Sequence, residues 1–203
     1  MAMEAENYIA LGTAFLGLSG LGFGLYQYYV AQKWKRSEFA AKHLEQLATD
    51  PELSLLCKLL DWNKRHLPVP EKYRPLTKSP VFEHNWEVFA AAMIAHGRKG
   101  DYSWQEAMYR DLVDRFCEYL QSLNHYVTIG LIDLRDISTI KYWLRELARP
   151  RFASTRDEQM FLDFIKVFAY PGVFKLMDRF GVDRPDRRPP RAEPGAALGP
   201  AGR

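Results

Sequence analysis

The chain has 203 residues, of which 47% are apolar and 14% aromatic, and it carries 28 Lys and Arg against 25 Asp and Glu. This composition is too apolar for a mainly disordered chain and is typical of a single folded domain. Only two cysteines are present, Cys57 and Cys117, which excludes a disulfide-dense fold and a metal site built from several cysteines. A formal charge of +3 is too small to indicate a nucleic-acid-binding protein, and we expect no nucleic-acid partner.

The positive charge is unevenly distributed. Residues 1–32 carry two acidic residues and no basic one, and Lys33, Lys35 and Arg36 then follow within four positions. Segment 37–181 holds 20 basic and 20 acidic residues, so its total charge is zero. The last 22 residues add five arginines against three acidic residues. The positive excess therefore lies directly after the apolar N-terminal segment and in the C-terminal tail.

The apolar segment predicts a transmembrane helix over residues 8–31. These 24 residues contain no charge, and only Thr13, Ser19 and Gln27 are clearly polar. A helix of this length rises about 36 Å, enough to cross a hydrocarbon core of about 30 Å. Residues 1–7 would form a short N-terminal extension. A cleaved signal peptide would need a basic start, which is absent; a buried core helix of a soluble protein is the alternative.

The residues that follow the segment predict its orientation and its contacts with lipid. Basic residues stand only on its C-terminal side, so the positive-inside rule places residues 1–7 outside and the rest in the cytoplasm of a single-pass protein of a bacterial inner membrane. Each basic side chain near an anionic surface contributes about 1 kcal/mol of attraction. The residues expected at the lipid headgroups are Lys33, Trp34, Lys35 and Arg36.

Small and polar residues recur on one face of the apolar segment, at spacings of 3 and 4. Removing side chains from one face lets a second helix approach closely, as in small-xxx-small pairs such as Gly20 and Gly24. We name this face the glycine stripe and expect a helix–helix contact there, with a protein partner or in a homodimer. Its members are Thr13, Gly17, Gly20, Gly24 and Gln27.

The remainder of the chain predicts an all-α fold, a membrane helix followed by a bundle of six or seven helices. Segment 32–50 would be a basic juxtamembrane stretch and helical stalk, and 51–181 the cytoplasmic helical domain. The helix starts are marked by Asp50-Pro51, a capping box at Ser103 and Glu106, Asp133, a second capping box at Thr155 and Glu158, and Tyr170-Pro171. Another helix would begin near Phe82, and an extended loop would span residues 66–80, because four prolines lie there. No useful strand pattern is present.

Residues 182–203 predict a disordered tail. They contain five prolines, three glycines, four alanines and no aromatic residue, so they cannot bury enough apolar surface to offset their ordering entropy. Their arginines could contact phosphates, but three acidic residues nearby favour a solvated tail.

Motifs that carry chemistry are missing from the sequence, and we expect no catalytic residue, cofactor or metal. There is no phosphate-binding loop and no His-Glu-x-x-His pair. Asp111 and Asp114 come closest to a pair of carboxylates that could do acid–base work. Each has a basic residue four positions away, which favours structural ion pairs, Arg110 with Asp114 and Asp111 with Arg115.

Three segments, Tyr109–Leu120, Gly130–Asp133 and Trp143-x-x-Glu146-Leu147, carry a resemblance to a known group. The chain resembles a family of uncharacterised bacterial proteins with one N-terminal membrane helix and a helical cytosolic domain. The resemblance implies the same architecture and supplies no catalytic residue.

Three functions are compatible with these features. The first is a non-enzymatic, membrane-anchored interaction or scaffold protein whose helical domain docks a cytosolic or membrane partner. The second is an accessory subunit of a larger membrane complex. The third is a membrane-tethered enzyme with an unrecognised helical active site near Asp111 and Asp114.

Overall fold

A computed structural model describes residues 2–62, 66–94, 100–149 and 155–184. These residues are mostly helical, which confirms the all-α class, and the helices outnumber two short strands. The α-helices are α1 Ala2–Thr49, α2 Pro51–Asp61, α3 Trp86–Ala92, α4 Trp104–Thr128, α5 Ile140–Ala148, α6 Thr155–Val167 and α7 Pro171–Phe180. A 3-10 helix, Glu71–Leu76, lies between the strands β1 His66–Pro68 and β2 Val81–Glu83.

Helix α1 runs without a break from the apolar segment into the domain. Its C-terminal third packs on the core: Ala40 is fully buried, and Phe39, Leu44 and Leu47 lie partly buried against the core. Within the described ranges, no helix reaches the combination of length and hydropathy that a membrane crossing needs. The transmembrane helix over 8–31 therefore stays a prediction.

Helix α4 is the centre of the domain, in contact with α2, α3 and α7. It begins at the predicted capping box, in which Ser103 accepts from the Glu106 amide and Glu106 accepts from the Ser103 amide. Its apolar face is buried as the 3–4 spacing indicates. The fully buried side chains on this face include Met108, Leu112, Val113, Phe116, Leu120 and Leu123.

Helices α1 and α4 pack antiparallel. The Tyr119 hydroxyl donates to the His43 carbonyl at 2.9 Å, and farther along α4 the Tyr126 ring meets Phe39 at 5.2 Å. Residue numbers thus fall along α1 while they rise along α4. The C-terminal end of α4 therefore points toward the apolar N-terminal part of α1.

The structure contains a β-hairpin that the sequence did not indicate. Strands β1 and β2 pair antiparallel, with His66 opposite Glu83, and the Val69 amide donates to the Pro80 carbonyl. The prolines keep residues 66–80 largely extended, as predicted. Two short extended segments, β1 and β2, in addition form a hydrogen-bonded pair. The second strand occupies Phe82, so the following helix begins later, at Trp86, where Asn85 is the N-cap.

The segment after α4 also differs from the prediction. Gly130 ends the helix region in a left-handed conformation, with φ +75°. Asp133 was expected to cap a helix, but its side chain accepts from the Arg135 amide within a run of turns. Helix α5 begins only at Ile140. The apolar residue Ile137 is nonetheless buried, so the turns are fixed by packing.

The packed part of the chain extends beyond residue 181, the predicted end of the helical domain. Helix α7 begins with Pro171 and ends at Gly181 in a left-handed conformation, as the sequence indicates. Val182 is buried, and the Arg184 guanidinium lies 4.7 Å from the centroid of the Phe174 ring. The predicted tail from residue 185 onward, and the side chains of the Thr155–Glu158 capping box, lie outside the described residues.

Candidate membrane-proximal site

The apolar part of α1 is covered by nothing else in the described chain. Its large side chains are 61–75% exposed, on every side of the helix, which excludes a buried core helix for residues 11–29. An exposed apolar surface of this extent marks a contact with a partner or a membrane. These side chains are Leu11, Phe15, Leu16, Leu18, Leu21, Phe23, Leu25, Tyr26, Tyr28 and Tyr29.

The glycine stripe is open in the structure. A Cβ atom placed on Gly17, Gly20 or Gly24 would meet no atom within 4 Å, and Thr13 and Gln27 are exposed. No described helix of this chain therefore packs on the stripe, and the helix–helix contact stays a prediction.

A cleft of about 360 Å³ lies where α1 passes the loop that follows α4. The antiparallel packing of α1 and α4 brings the two segments together, although they are far apart in sequence. Two of the expected headgroup residues, Lys33 and Arg36, line the cleft, whereas Trp34 and Lys35 are exposed elsewhere on the helix. The full lining is Tyr29, Gln32, Lys33, Arg36, Asp133, Arg135 and Asp136.

The charges in this cleft are only partly paired. Arg135 lies 3.1 Å from Asp133, and its hydrogen bonds lower the pKa of the Asp133 carboxyl. Asp136 accepts a hydrogen bond from the Ser37 hydroxyl. Lys33 and Arg36 form no ion pair with any residue in the described part of the chain. Lys33 and Arg36 are therefore available to a ligand in the cleft. The third cationic group, Arg135, is held only by its ion pair with Asp133, and such exposed pairs are weak.

Exposed apolar residues lie earlier in the same loop. Ile129 and Leu131, which flank Gly130, are 54% and 45% exposed, whereas the next residue, Ile132, is buried. Sequence reasoning missed this loop as a candidate site, and it also missed Arg135. The run Ile-Gly-Leu-Ile could have indicated the loop. It places three large apolar residues at a helix end, where a single one would be enough to contact the core.

Neither ion pair predicted within α4 forms as a direct contact, and each of the four residues contacts another element instead. Asp111 accepts from Lys72 and from the Tyr73 hydroxyl, while Arg115 lies 2.9 Å from Asp50. In each case a contact across the fold replaces the pair along the helix. These contacts tie the 3-10 helix and the N-terminus of α2 to α4.

The other predicted pair is replaced in the same way. Asp114 accepts from the Tyr170 hydroxyl at 3.0 Å. Arg110 is buried, donates to the carbonyls of Ala92 and Ile94, and lies 4.5 Å from the centroid of the Phe168 ring. Arg110 thus holds the end of α3 against α4 and α6.

These partners favour a structural role for both carboxylates. Burial raises the pKa of the Asp114 carboxyl, and the Tyr170 hydrogen bond and the Arg110 charge oppose that rise. Of the two clefts formed by described residues, neither the membrane-proximal cleft nor a second one of about 250 Å³ between α1 and α4 is lined by Asp111 or Asp114.

The remaining reactive side chains are held in the core. Burial raises the pKa of the Cys57 thiol to about 12, with a contribution from Asp61, and burial raises the pKa of the Cys117 thiol further. Such thiols react slowly. Buried His84 lies with Nδ1 2.9 Å from the Tyr109 hydroxyl. Among the described residues, no three His, Cys, Asp or Glu side chains are grouped as metal ligands.

No protein-family model matches the chain, and neither a curated protein nor a solved structure is significantly similar to it. The function is therefore inferred from the residues and geometry of the chain alone.

Proposed function

We propose that the chain is a single-pass membrane protein, anchored by residues 8–31, whose helical domain binds a protein partner at the cytoplasmic face of a bacterial inner membrane. One observation carries the proposal: the uncharged part of α1 is exposed on all sides, while the same helix continues into a well-packed domain. Water is a poor solvent for such a helix, whereas a bilayer satisfies its apolar surface. The uncharged stretch begins at Tyr8, whereas the exposure values begin at Leu11, the first residue whose side chain is described.

The positions of the charged residues support the orientation. Lys33, Lys35 and Arg36 are all exposed and stand at the end of the uncharged stretch, ahead of the packed domain. The ring of Trp34, 74% exposed, lies among them, as expected for an interfacial residue. The interaction role rests on the open glycine stripe and on the absence of catalytic motifs from the sequence.

A topology experiment tests the anchor. The full chain carries a reporter after Arg203, either a phosphatase that works in the periplasm or a fluorescent protein that folds in the cytoplasm. We expect only the cytoplasmic reporter to be active, and the chain to stay with membranes during alkaline extraction. Changing Lys33, Lys35 and Arg36 to Glu and adding Lys before Tyr8 should lower or invert this preference. Release by alkali of the unmodified chain would refute the anchor.

The accessory-subunit role is the second candidate, and the glycine stripe favours it. A stripe that no described helix of this chain covers suits a multi-span partner as well as a second copy of the chain. Purification in gentle detergent, followed by mass spectrometry, separates the two: a stoichiometric larger membrane protein indicates the accessory subunit, and recovery of the chain alone as a dimer indicates self-association.

A further inference from the structure

The end of the domain that faces the proposed anchor combines apolar and cationic groups. Antiparallel packing of α1 and α4 places the loop of residues 129–136 beside residues 29–37 of α1. The apolar tips of the loop are Ile129 and Leu131, which are 54% and 45% exposed, whereas Ile132 and Ile137 are buried. The proposed bilayer would begin immediately beyond this level of α1.

The cationic groups of this end converge on one cleft. Lys33 and Arg36 reach it from α1, and Arg135 reaches it from the loop. Asp133 pairs with Arg135, and Asp136 accepts from Ser37. Lys33 and Arg36 form no ion-pair contact within the described residues, although the Lys33 charge contributes to the lowered pKa of the Asp133 carboxyl. A phosphate group provides oxygen acceptors for these donors and can share Arg135 with Asp133.

We propose that this cleft binds the phosphate of an anionic phospholipid headgroup, and that Ile129 and Leu131 enter the bilayer interface beside it. The inference rests on the proposed anchor, because the anchor sets the level of the bilayer. Apolar side chains that enter the interface, next to basic groups at the headgroups, are the usual combination at the surface of peripheral membrane proteins. The docked loop would then hold the domain on the membrane in one orientation, in addition to the continuous helix α1 that joins the domain to the proposed anchor.

A fluorescence experiment on the full chain tests the docking. Ile129→Cys and Leu131→Cys each carry an environment-sensitive nitrobenzoxadiazole label, in vesicles of phosphatidylcholine with one third phosphatidylglycerol. Leu76→Cys is the matched control, because Leu76 is as exposed but lies on the 3-10 helix, which contacts the opposite half of α4. We expect blue-shifted emission and quenching by brominated acyl chains at both loop positions, and neither change at the control position.

Charge variants and a second lipid test the headgroup site. Arg135→Gln should weaken the docked state about fivefold, as expected for one basic residue near an anionic surface, and Arg74→Gln on the 3-10 helix should not. Vesicles of pure phosphatidylcholine should lower the docked fraction. Equal signals from both vesicle types, or from the loop and control labels, would overturn the proposal.

A label at Phe15→Cys separates this result from the anchor. Strong quenching at Phe15 without quenching at Ile129 and Leu131 would refute the docking alone, whereas no quenching at Phe15 would refute the anchor itself. Inorganic phosphate should lower the signal no more than sodium chloride of equal ionic strength does, because both act only by screening the charges. A larger loss with phosphate would indicate a site for free phosphate and overturn the lipid assignment.

Discussion

The Ser37 hydroxyl donates to the Asp136 carboxylate at 3.2 Å, across 99 residues of sequence. It joins α1, just beyond the proposed anchor, to the loop that carries the apolar tips of the domain. Together with the Tyr119–His43 hydrogen bond, it fixes the rotation of the domain about α1. An anchor that continues rigidly into the domain transmits its own orientation to the domain, which a flexible linker would not.

The first prediction concerns the domain boundary. A fragment of residues 37–184 should fold alone into a mostly helical, cooperatively unfolding domain, because its core is formed without the exposed part of α1. A fragment that stops at residue 181 should be less stable by about 1.5 kcal/mol or more, since it lacks buried Val182 and the packing of Arg184 on Phe174. Thermal unfolding followed by circular dichroism measures both, and equal midpoints would show that the last three residues add nothing.

The second prediction concerns the start of α2. Asp50 accepts from the amides of Glu52 and Leu53 and from Arg115. Burial opposes these bonds, yet together they lower the pKa of the Asp50 carboxyl. Asp50→Ala should cost about 1–2 kcal/mol of unfolding free energy, and Asp50→Asn, which keeps the cap, should cost much less.

Urea unfolding at several pH values tests the Asp50 prediction. Because its folded pKa lies below the unfolded value, the carboxyl stabilises the fold above the unfolded pKa and loses this effect as the pH falls through the folded pKa. The difference between the wild type and Asp50→Ala should therefore shrink in acid. Arg115→Gln should have a small effect, because the ion pair is half exposed. A larger loss from Arg115→Gln than from Asp50→Ala would contradict the cap as the main contribution.

The third prediction concerns Asp114, whose pKa is raised chiefly by burial. With a folded pKa above the unfolded value, the ionised carboxylate destabilises the fold at neutral pH, and stability is regained as the pH falls through the folded pKa. Asp114→Asn keeps an acceptor for the Tyr170 hydroxyl and removes the charge. At pH 7 this variant should be at least as stable as the wild type, and any gain in stability should disappear in acid. Urea unfolding at pH 7 and at an acidic pH measures the difference. Destabilisation at pH 7 would mean that the attraction to Arg110 outweighs burial.

The fourth prediction concerns the packing of α7 on α4. A Cβ on Gly172 would lie 3.0 Å from the Gln121 backbone, and the Gly172 amide donates to the Gln121 side chain. Gly172→Ala should cost about 1–3 kcal/mol in urea unfolding, despite the higher helix propensity of Ala, because a backbone atom cannot move aside easily. Gln121→Ala in the same chain should not restore stability, since the clash with the backbone of residue 121 remains. Full recovery in the double variant would place the clash on the side chain.

The sequence predicted the elements that depend on neighbouring residues and missed those that depend on distant ones. Local rules identified the Ser103 capping box, the Pro171 start and the Gly181 end of α7. The hairpin of β1 and β2 needs two three-residue strands to meet, and no periodicity is measurable over three residues.

The sequence predicted only some of the residues of the membrane-proximal cleft, for a related reason. Lys33 and Arg36 lie in an obvious basic cluster, but Arg135 joins them only through the antiparallel packing of α1 and α4. The prediction of ion pairs within α4 had the same weakness. The i,i+4 spacing shows which residues of one helix are within reach of each other. It does not show that a residue from another element binds instead, as Lys72 binds Asp111.

The last prediction concerns the glycine stripe, which the structure shows to be open toward other molecules. Close approach of a second helix along Gly20 and Gly24 would gain van der Waals contact that a face covered with larger side chains cannot match. Gly20→Ile or Gly24→Ile should leave insertion intact, because hydrophobicity rises, and should displace the partner helix. Gly22→Ile is the matched control, since Gly22 is equally open but lies on the opposite side of the helix.

Crosslinking in native membranes and co-purification in gentle detergent compare the three variants. We expect the crosslinked or co-purified species to be lost from Gly20→Ile and Gly24→Ile and retained by Gly22→Ile. Alkaline extraction of each variant checks that all three remain inserted, so that a loss of contact is not a loss of anchoring. Equal yields from the three variants would show that the glycines contact lipid and that the partner binds the helical domain instead.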